Sequence, residues 1–425
     1  MRRKLGKLAE PVTRKVRRGA QSLPCRPLLH SFHHIQLKTA IFLLAAGLPF
    51  FISTAAHGAT PRALVQPNPS PVLTTAKQIR NLKPAVANLG LPVRLRGVVT
   101  YYGGTGWEIF VQDETAGIYV ATEKPEPIKT GDLVEVTGRT SAGDFAPEVI
   151  DPLFHVLGKG VMPHADTIRL HEALEGNFDS QWLGLHGVVH SARASGAGVA
   201  LQIFTYGGEF TADIPGITAA EAGRLVDANA VFYGACGTRF NDRRQIEGVE
   251  LYIPGLSYVH ILRPAPDPFT LPVRNVDSVF QFTPESGEGH RIRVQGTVTF
   301  QHYPSEMFIA DATGSIYIAT SAAVHVKPGE RVDVVGFPSR GANSPMLEDA
   351  IFKPVGQGAQ ILPARLNARD CLYRNHDSEL VEVEGTFQRS SSAGGYRYWI
   401  LASGGVDFDV WLDRESKGQA WPSVR

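Results

Sequence analysis

The chain repeats itself at a spacing of about 198 residues, and this repeat limits the possible folds more than any other feature of the sequence. Three blocks return in order, as 93–100 with 292–299, 113–120 with 311–318, and 131–138 with 329–336. A second family lies between them, because 179–187 returns as 377–385. Long, regular self-similarity is typical of duplicated structural units. The chain is therefore two copies of a unit that itself contains two modules.

The first module has the pattern of a small antiparallel β-structure. Apolar and polar residues alternate through Val93–Arg96, which is the period of a half-buried strand. In Trp107–Gln112 the same period places Trp107, Ile109 and Val111 on one face and Phe110 on the other. Asp113–Gly117 then supplies an Asp-led hairpin turn with a glycine. Strand, hairpin, turn and further strand in this order resemble the OB-fold, a five-stranded Greek-key barrel.

A glycine recurs inside the first strand of each module. A first strand that joins both sides of a small barrel must bend sharply, and a bulge or close backbone approach there leaves no room for a side chain. The four glycines in this position are Gly97, Gly187, Gly296 and Gly385. The pattern favours a structural role for them.

We therefore predict an all-β fold of tandem OB-like Greek-key barrels, in two duplicated pairs with the last barrel incomplete, joined by short helices. The predicted helices are near 77–82 (closed by Pro84), 168–174 and 218–225. The chain is expected to begin with a basic segment and export signal or anchor (1–60) and a Pro-rich linker (61–72). Modules 1 (73–163) and 2 (164–262), a second linker (263–269), and modules 3 (270–357) and 4 (358–425) follow. The counterpart of Asp227 is Arg425, so module 4 is expected to be truncated, as in a fragment or a shortened gene.

The N-terminal segment indicates export. Residues 1–40 hold ten Lys/Arg against one acid, Glu10, whereas the whole chain has a net charge of only +1. An apolar run at 40–52 and small residues follow, as in a secretory signal. Cleavage and an uncleaved membrane anchor both fit, and either places the bulk in the periplasm or on the outer face of the inner membrane. The remainder is acidic, which makes nucleic acid an unfavoured partner.

The sequence holds no strong signature of catalysis, so we expect no enzyme activity, no cofactor and no metal. It contains no Gly-x-Ser-x-Gly, no phosphate-binding glycine loop and no Cys-x-x-Cys. His186 and His190 could share a zinc ion on a helix, but on the predicted strand they lie about 13 Å apart. Cys236 and Cys371 are expected to be small buried side chains rather than a disulfide framework.

Aromatic residues near the first hairpin are the candidate ligand-binding residues. Tyr101, Tyr102 and Trp107 cluster there, and loop aromatics beside an OB barrel suit stacking on a sugar or base. The alternative is that they pack against the neighbouring module. Residues that recur in both units are interpreted first as turn, bulge and packing residues; these are Asp113/Asp311, Tyr119/Tyr317 and Phe110/Phe308.

Several blocks resemble the extracytoplasmic N-terminal region of bacterial membrane-bound, often hybrid, sensor histidine kinases. The blocks are Leu73–Arg80, Pro92–Tyr101, Phe110–Glu114, Gly117–Val120, and Asp179–Leu183 ahead of Gly187–Val189. The resemblance covers roughly residues 73–425 and implies an input role, with a transmembrane segment and a cytoplasmic kinase following the input region in that family. It carries over no phosphorylated histidine box and no ATP-binding motif, so it implies no kinase activity for this chain.

The leading hypothesis is an exported, non-enzymatic input region that binds an unidentified small molecule, glycan or partner for transmembrane two-component signalling. Membrane attachment would come through the N-terminal segment or through residues beyond Arg425. The alternative is a stand-alone exported polysaccharide- or nucleic-acid-binding OB-fold protein. A hydrolase with an unfamiliar site is a third reading, with little to support it.

Overall fold

The computed structural model describes residues 14–15, 71–103, 108–196, 198–279, 289–341, 344–372, 376–393 and 396–411. β-Strands dominate these residues, and the few helices are short, so the predicted all-β class is confirmed. The first strand is the two-residue β1 (Arg14–Lys15). Two short helices follow, α1 (Ala76–Arg80) and α2 (Pro84–Ala87). Pro84 does not end a helix as predicted; it begins α2, where the missing N–H of proline costs no hydrogen bond.

Barrel 1 is a closed five-stranded structure. Its strands are β2 (Pro92–Tyr102), β3 (Ile109–Gln112), β4 (Gly117–Tyr119), β5 (Asp132–Ser141) and β6 (Glu148–Lys159). β2 pairs with β3 in its second half and with β5 in its first half, β3 pairs with β4, and β5 pairs with β6. A parallel bridge between Val120 and Val149 joins the third and fifth strands and closes the barrel. The OB-like topology is confirmed.

Barrel 2 repeats this order with an added helix. It contains β7 (Thr167–Ile168), α3 (Leu170–Ala173), β8 (Trp182–Ser195), β9 (Gly198–Thr205), β10 (Gly208–Pro215), α4 (Ala219–Gly223), β11 (Asn229–Phe240), β12 (Ile246–Tyr252) and β13 (Val259–Arg263). Pairing of β8 with β11 and parallel pairing of β10 with β12 close the barrel. Both predicted helices are present in shortened form, and α4 begins with a capping box between Thr218 and Glu221.

Barrel 3 copies barrel 1. Its strands are β14 (Val273–Arg274), β15 (Ile292–His302), β16 (Glu306–Ala310), β17 (Ser315–Thr320), β18 (Glu330–Ser339) and β19 (Met346–Gln357). β15 pairs with both β16 and β18, and β17 runs parallel to β19. A single turn of 3-10 helix, Val276–Ser278, takes the place of α1. Barrels 1, 2 and 3 therefore share one strand order.

The fourth module is partial within the described residues. It comprises β20 (Ala364–Leu366), β21 (Val381–Val383), β22 (Thr386–Ala393), β23 (Tyr396–Ser403) and β24 (Val406–Trp411). β22, β23 and β24 form an antiparallel meander whose outer edge pairs with β1. The meander corresponds to the first three strands of the other barrels. None of the helices in the described part of the chain has the length and apolar character needed to span a bilayer.

The recurring glycines have the predicted structural cause. A Cβ atom on Gly97 would lie 2.7 Å from the backbone oxygen of Gln112, and one on Gly187 would lie 2.6 Å from that of Phe204. The pairing of the first and second strands also shifts register at the same place in each module, which marks a bulge. The first strand thus bends at this point because no side chain separates it from its partner.

The recurring aspartates have a second role that the sequence alone did not reveal. The Asp113 carboxylate accepts hydrogen bonds from the turn amides of Thr115 and Ala116, and its other oxygen accepts one from Ala76 at the start of α1. Asp311 makes the same three bonds in barrel 3, to Thr313, Gly314 and Val276. One carboxylate therefore holds the hairpin and also fixes the apolar segment that plugs each barrel.

Candidate functional site

Of the sequence-predicted aromatic residues, Tyr101 and Tyr102 have different surroundings. Tyr101 is 4% exposed, and its ring centroid lies 5.3 Å from that of Tyr252 in barrel 2. Tyr102 is half-buried beside the barrel 1 core, where its hydroxyl accepts a hydrogen bond from the backbone N–H of Glu126. Trp107 lies outside the described residues. Tyr101 thus packs against the neighbouring module, the alternative that the sequence left open.

Tyr101 belongs to a row of rings across the outer face of barrel 1. Register places Tyr101 opposite Phe110 and Phe110 opposite Tyr119, and the ring centroids are 6.3 Å and 5.4 Å apart. We call these three residues the barrel 1 ring face. In OB-folds this side of the barrel, around the second and third strands, commonly holds ligands. Here it is covered by barrel 2, because Ala235 and Tyr252 pack on it.

A backbone clamp holds barrel 2 on this face. The side-chain oxygen of Gln112 accepts a hydrogen bond of 2.7 Å from the N–H of Trp182, and that of Gln181 accepts one of 3.0 Å from the N–H of Gly117. Between them the carbonyl of Ser180 lies so close to Gly117 that any Cβ atom there would overlap it. The covered state of barrel 1 therefore depends on the missing side chain at position 117.

Barrel 3 carries the same row of rings. Phe300 lies opposite Phe308, and Phe308 lies opposite Tyr317, with ring centroids 6.3 Å and 5.2 Å apart. We call these three residues the barrel 3 ring face. All three are half-buried, whereas Tyr101 and Phe110 in barrel 1 are buried. Barrel 3 thus presents to solvent part of a face that barrel 1 hides.

The clamp is not retained in the second unit. Strand register aligns Gln112 with Ala310 and Gly117 with Ser315, and the counterpart of Gln181 is Glu379. Ala310 cannot accept the clamp hydrogen bond, and the Cβ of Ser315 occupies the space that the Ser180 carbonyl needs in the first unit. Module 4 therefore cannot dock on barrel 3 as barrel 2 docks on barrel 1.

The rim of the barrel 3 ring face is acidic. Burial raises the pKa of the Tyr317 hydroxyl, and Glu306, which accepts a hydrogen bond from it, and Glu348 raise it further. The Glu306 side chain is 42% exposed and lies 3.9 Å from the ring nitrogen of His302. Tyr303 stacks on His325 in the loop region beyond these strands. Rings with carboxylate hydrogen-bond acceptors at their edge can hold the C–H face and the hydroxyls of a sugar.

The barrel 3 ring face was not singled out from the sequence. Phe308 and Tyr317 were recognised as recurring and were interpreted as packing residues, which is what Phe110 does in barrel 1. The signal that separates the two faces is the non-recurring set, namely Ala310, Ser315 and Glu379 against their counterparts in the first unit. These small differences have no obvious functional pattern until the clamp is known.

A broad groove runs along the other side of barrel 1. Its volume is about 960 Å³, and it lies between the Asp113 turn, the outer side of β2 and β5, and the segment around His164. Arg94 and Arg96 both pair with Glu135 there, at 3.0 Å and 2.8 Å. Both arginines are therefore paired with the same glutamate, and the Asp113 carboxylate accepts hydrogen bonds from backbone amides. Because these charged side chains are already paired within the protein, the groove is a weaker candidate binding surface than the ring face.

The residues considered for metal binding are engaged elsewhere. His186 and His190 both lie on β8, where His186 contacts Asn229 and His190 stacks between Phe204 and Phe337. Cys236 and Cys371 are both buried. Within the described residues, no group of three or more His, Cys, Asp or Glu side chains is arranged to hold a metal ion.

Comparison with known proteins gives weak similarities. No protein-family model and no curated protein matches the sequence. Among solved structures, the p204 HINb domain is 12% identical with a TM-score of 0.20, covering 40% of this chain and 95% of that one. A murine DNA binding protein bound with double-stranded DNA is 10% identical at 0.21, covering 42% and 98%. A putative aspartyl-tRNA synthetase from Leishmania major Friedlin is 8% identical at 0.20, covering 26% and 23%. At these values the fold assignment depends on the strand order of the chain itself.

Proposed function

We propose that this chain is an exported, non-enzymatic OB-fold input region that binds a ligand at the barrel 3 ring face for transmembrane two-component signalling. The observation that carries the proposal is the half-buried row Phe300, Phe308 and Tyr317. In barrel 1 the counterparts of its first two rings, Tyr101 and Phe110, are buried under barrel 2. A ring row on the ligand-binding side of an OB barrel is the arrangement these folds use to hold sugars and bases.

The signalling part of the proposal is supported by the sequence. The basic N-terminal segment followed by an apolar run fits export or anchoring, and the blocks from Leu73 onward resemble the input regions of membrane-bound sensor histidine kinases. Binding of a ligand outside the cytoplasm is the step such a region would contribute. The kinase step would belong to another segment or another protein.

The chemistry of the face favours a neutral saccharide over nucleic acid. Nucleic-acid binding draws most of its free energy from cations that neutralise phosphates. The side chains placed at the barrel 3 ring face are instead Glu306 and Glu348, which would repel a phosphate chain. The same observation supports a stand-alone exported polysaccharide-binding protein as the second candidate function, since it concerns the ligand and not the signalling output.

The ligand class can be tested with the full chain on a glycan array and by titration with single-stranded DNA at physiological salt. We expect saturable binding to one group of glycans. Substituting Phe308→Ala should weaken that binding by about tenfold or more, because a ring stacked on a ligand contributes about 1–3 kcal/mol. Tyr206→Ala is the matched control, since Tyr206 is an 83% exposed aromatic residue in the β9–β10 turn of barrel 2.

Two results would contradict the proposal. Saturable DNA binding with no glycan binding, or glycan binding that Phe308→Ala leaves unchanged, would remove the ligand part. The signalling part is tested by the DNA downstream of codon 425, where we expect a membrane segment and a kinase in the same frame or in an adjacent gene. An intact frame ending at Arg425 with neither nearby would leave the stand-alone binding protein.

A further inference from the structure

A cluster of acids is enclosed where barrel 2 covers the barrel 1 ring face. Asp213 and Glu250 come from β10 and β12 of barrel 2, and Glu108 comes from barrel 1, directly before β3. All three are half-buried. Asp213 lies opposite Tyr252 in the parallel pairing of β10 with β12, and a hydrogen bond with the nearby Glu250 side chain raises the pKa of the Asp213 carboxyl. The Tyr252 hydroxyl donates to Glu250 at 3.3 Å.

Within the part of the chain that the structure describes, no positive charge compensates that of the Asp213 carboxylate. The charged groups that act on it are Glu250 and Glu108, both acids. From barrel 1, Tyr101 and Tyr119 face the cluster, and Asp144 and Glu148 act on Tyr119. The cations on the nearby strands point elsewhere, because Arg239 lies over Gly248 and Arg244 donates to the backbone oxygen of Gly143. Full ionisation would therefore place like charges together between the barrels.

Burial and mutual repulsion favour the protonated carboxyls. Burial, the hydrogen bond with Glu250 and the charges of Glu250 and Glu108 raise the pKa of Asp213 to about 8. Burial also raises the pKa of Glu108, with a further contribution from Glu250. The closed interface thus holds protons that the same groups would release in water.

The cluster lies at the opposite end of β3 from the clamp. Glu108 directly precedes β3, and Gln112, which bonds the backbone of Trp182, ends it. The clamp is made by amide side chains and backbone groups, which do not ionise near neutral pH. The barrels also meet where Phe145 stacks on Phe240, with ring centroids 5.4 Å apart, and where Arg244 donates to the backbone oxygen of Gly143. Charge added among the acids therefore opposes these contacts, while the clamp itself is unaffected by pH.

We propose that the barrel 1–barrel 2 interface is a proton-operated joint that covers a second, latent ring face. When the joint is closed, Asp213 and Glu108 hold protons, and barrel 2 covers Tyr101 and Phe110 of the barrel 1 ring face. When the acids ionise, the acid end separates and the barrel 1 ring face becomes accessible. The ligand class expected there rests on the proposed function, because the exposed rings occupy the positions of the barrel 3 ring face.

The direction of the pH effect follows from proton linkage. A carboxyl group whose pKa is raised in the closed state stabilises that state below its ordinary pKa of about 4, and this contribution is lost as the pH rises through the raised pKa. In this window the ratio of closed to open molecules falls by about tenfold per pH unit for each proton released on opening. The joint is therefore closed in mild acid and opens toward alkaline pH.

The test uses the full chain labelled with 4-fluorophenylalanine and a soluble paramagnetic relaxation agent in ¹⁹F NMR. We expect the Phe110 signal to be protected at about pH 5 and broadened at least tenfold more strongly at about pH 8.5, as linkage of one proton or more requires. Two internal references bracket it. Phe210, 1% exposed, should be protected at both values, and the half-buried Phe308 should be broadened at both.

The triple variant Asp213→Asn, Glu250→Gln and Glu108→Gln should abolish the pH response of Phe110 while leaving it protected, since neutral amides cannot ionise. Asp166→Asn removes a carboxylate whose side chain is 85% exposed, and it should leave the response unchanged. A Phe110 signal that stays protected from mild acid to alkaline pH in the unsubstituted chain would overturn the joint. This measurement contains no glycan, so it tests the joint alone. Whether glycan binding increases when the joint opens is a separate test of the ligand class, and either proposal can fail without the other.

Discussion

The ring faces of barrels 1 and 3 carry aromatic rings at the same three register positions but have different surroundings. Tyr101 and Phe110 are buried under barrel 2 and Tyr119 is half-buried, whereas Phe300, Phe308 and Tyr317 are all half-buried. The difference follows from positions beside the rings and not from the rings themselves. The two copies therefore distinguish the aromatic residues that recur in both barrels from the neighbouring residues that only barrel 1 uses to bind barrel 2.

The decisive position is the first residue of the third strand. In barrel 1 it is Gly117, which lets the Ser180 backbone approach, and in barrel 3 it is Ser315. The local turn survives this change, because Ser180 and Ser378 both have positive φ, at 62° and 65°. The second unit has therefore kept the docking turn and lost the surface on which it docks.

The largest expected contrast comes from deleting the central ring of each face. Phe110→Ala should lower the free energy of unfolding of barrel 1 by about 3–5 kcal/mol, because it leaves a cavity under barrel 2. Phe308→Ala should cost about half as much, since part of that ring is already hydrated. Urea unfolding monitored separately in barrels 1 and 3 measures both values. Equal losses would show that the two faces are equally enclosed.

A smaller contrast comes from exchanging the residues of the clamp. Gly117→Ser should destabilise the interface by about 1–3 kcal/mol through overpacking against the Ser180 carbonyl. Ser315→Gly is the matched change in barrel 3 and should cost less than about 1 kcal/mol, the backbone effect of glycine in a strand. Urea unfolding of the two variants gives the comparison. If Gly117→Ser proves neutral, the clamp does not hold barrel 2 in place.

Most of the fold was predictable from the sequence because it depends on local patterns. Alternation around Leu95 and Ile109 predicts strands, the Asp113 turn predicts the hairpin, and the recurrence of Gly97 as Gly296 predicts a bend that the structure explains by close backbone contact. The helix near Lys77 was also predicted, although Pro84 begins a second helix instead of ending the first.

The site was less predictable because it depends on contacts between modules. Tyr101 was selected as an aromatic residue near a loop, but its exposure is set by Tyr252, which lies 151 positions later in the chain and has no sequence pattern that links it to Tyr101. Phe308 was recognised as recurring, and recurrence favoured a packing role. Which copy of a repeated face is free is decided by residues such as Ser315 that do not recur.

The smallest expected contrast concerns the acids at the start of the second strand, Glu108 directly before β3 and its counterpart Glu306, the first residue of β16. Burial raises the pKa of Glu108, so its ionised form opposes the closed interface, and Glu108→Gln should stabilise barrel 1 at about pH 8 but not at about pH 4. Glu306→Gln should change stability by no more than about 0.5 kcal/mol at either pH, because its carboxylate is substantially exposed. Thermal unfolding at both pH values measures the four differences. If Glu108→Gln stabilises the protein equally at both pH values, the effect comes from packing and not from charge. If Glu306→Gln stabilises it as much as Glu108→Gln does, enclosure by barrel 2 is not the cause of the Glu108 effect.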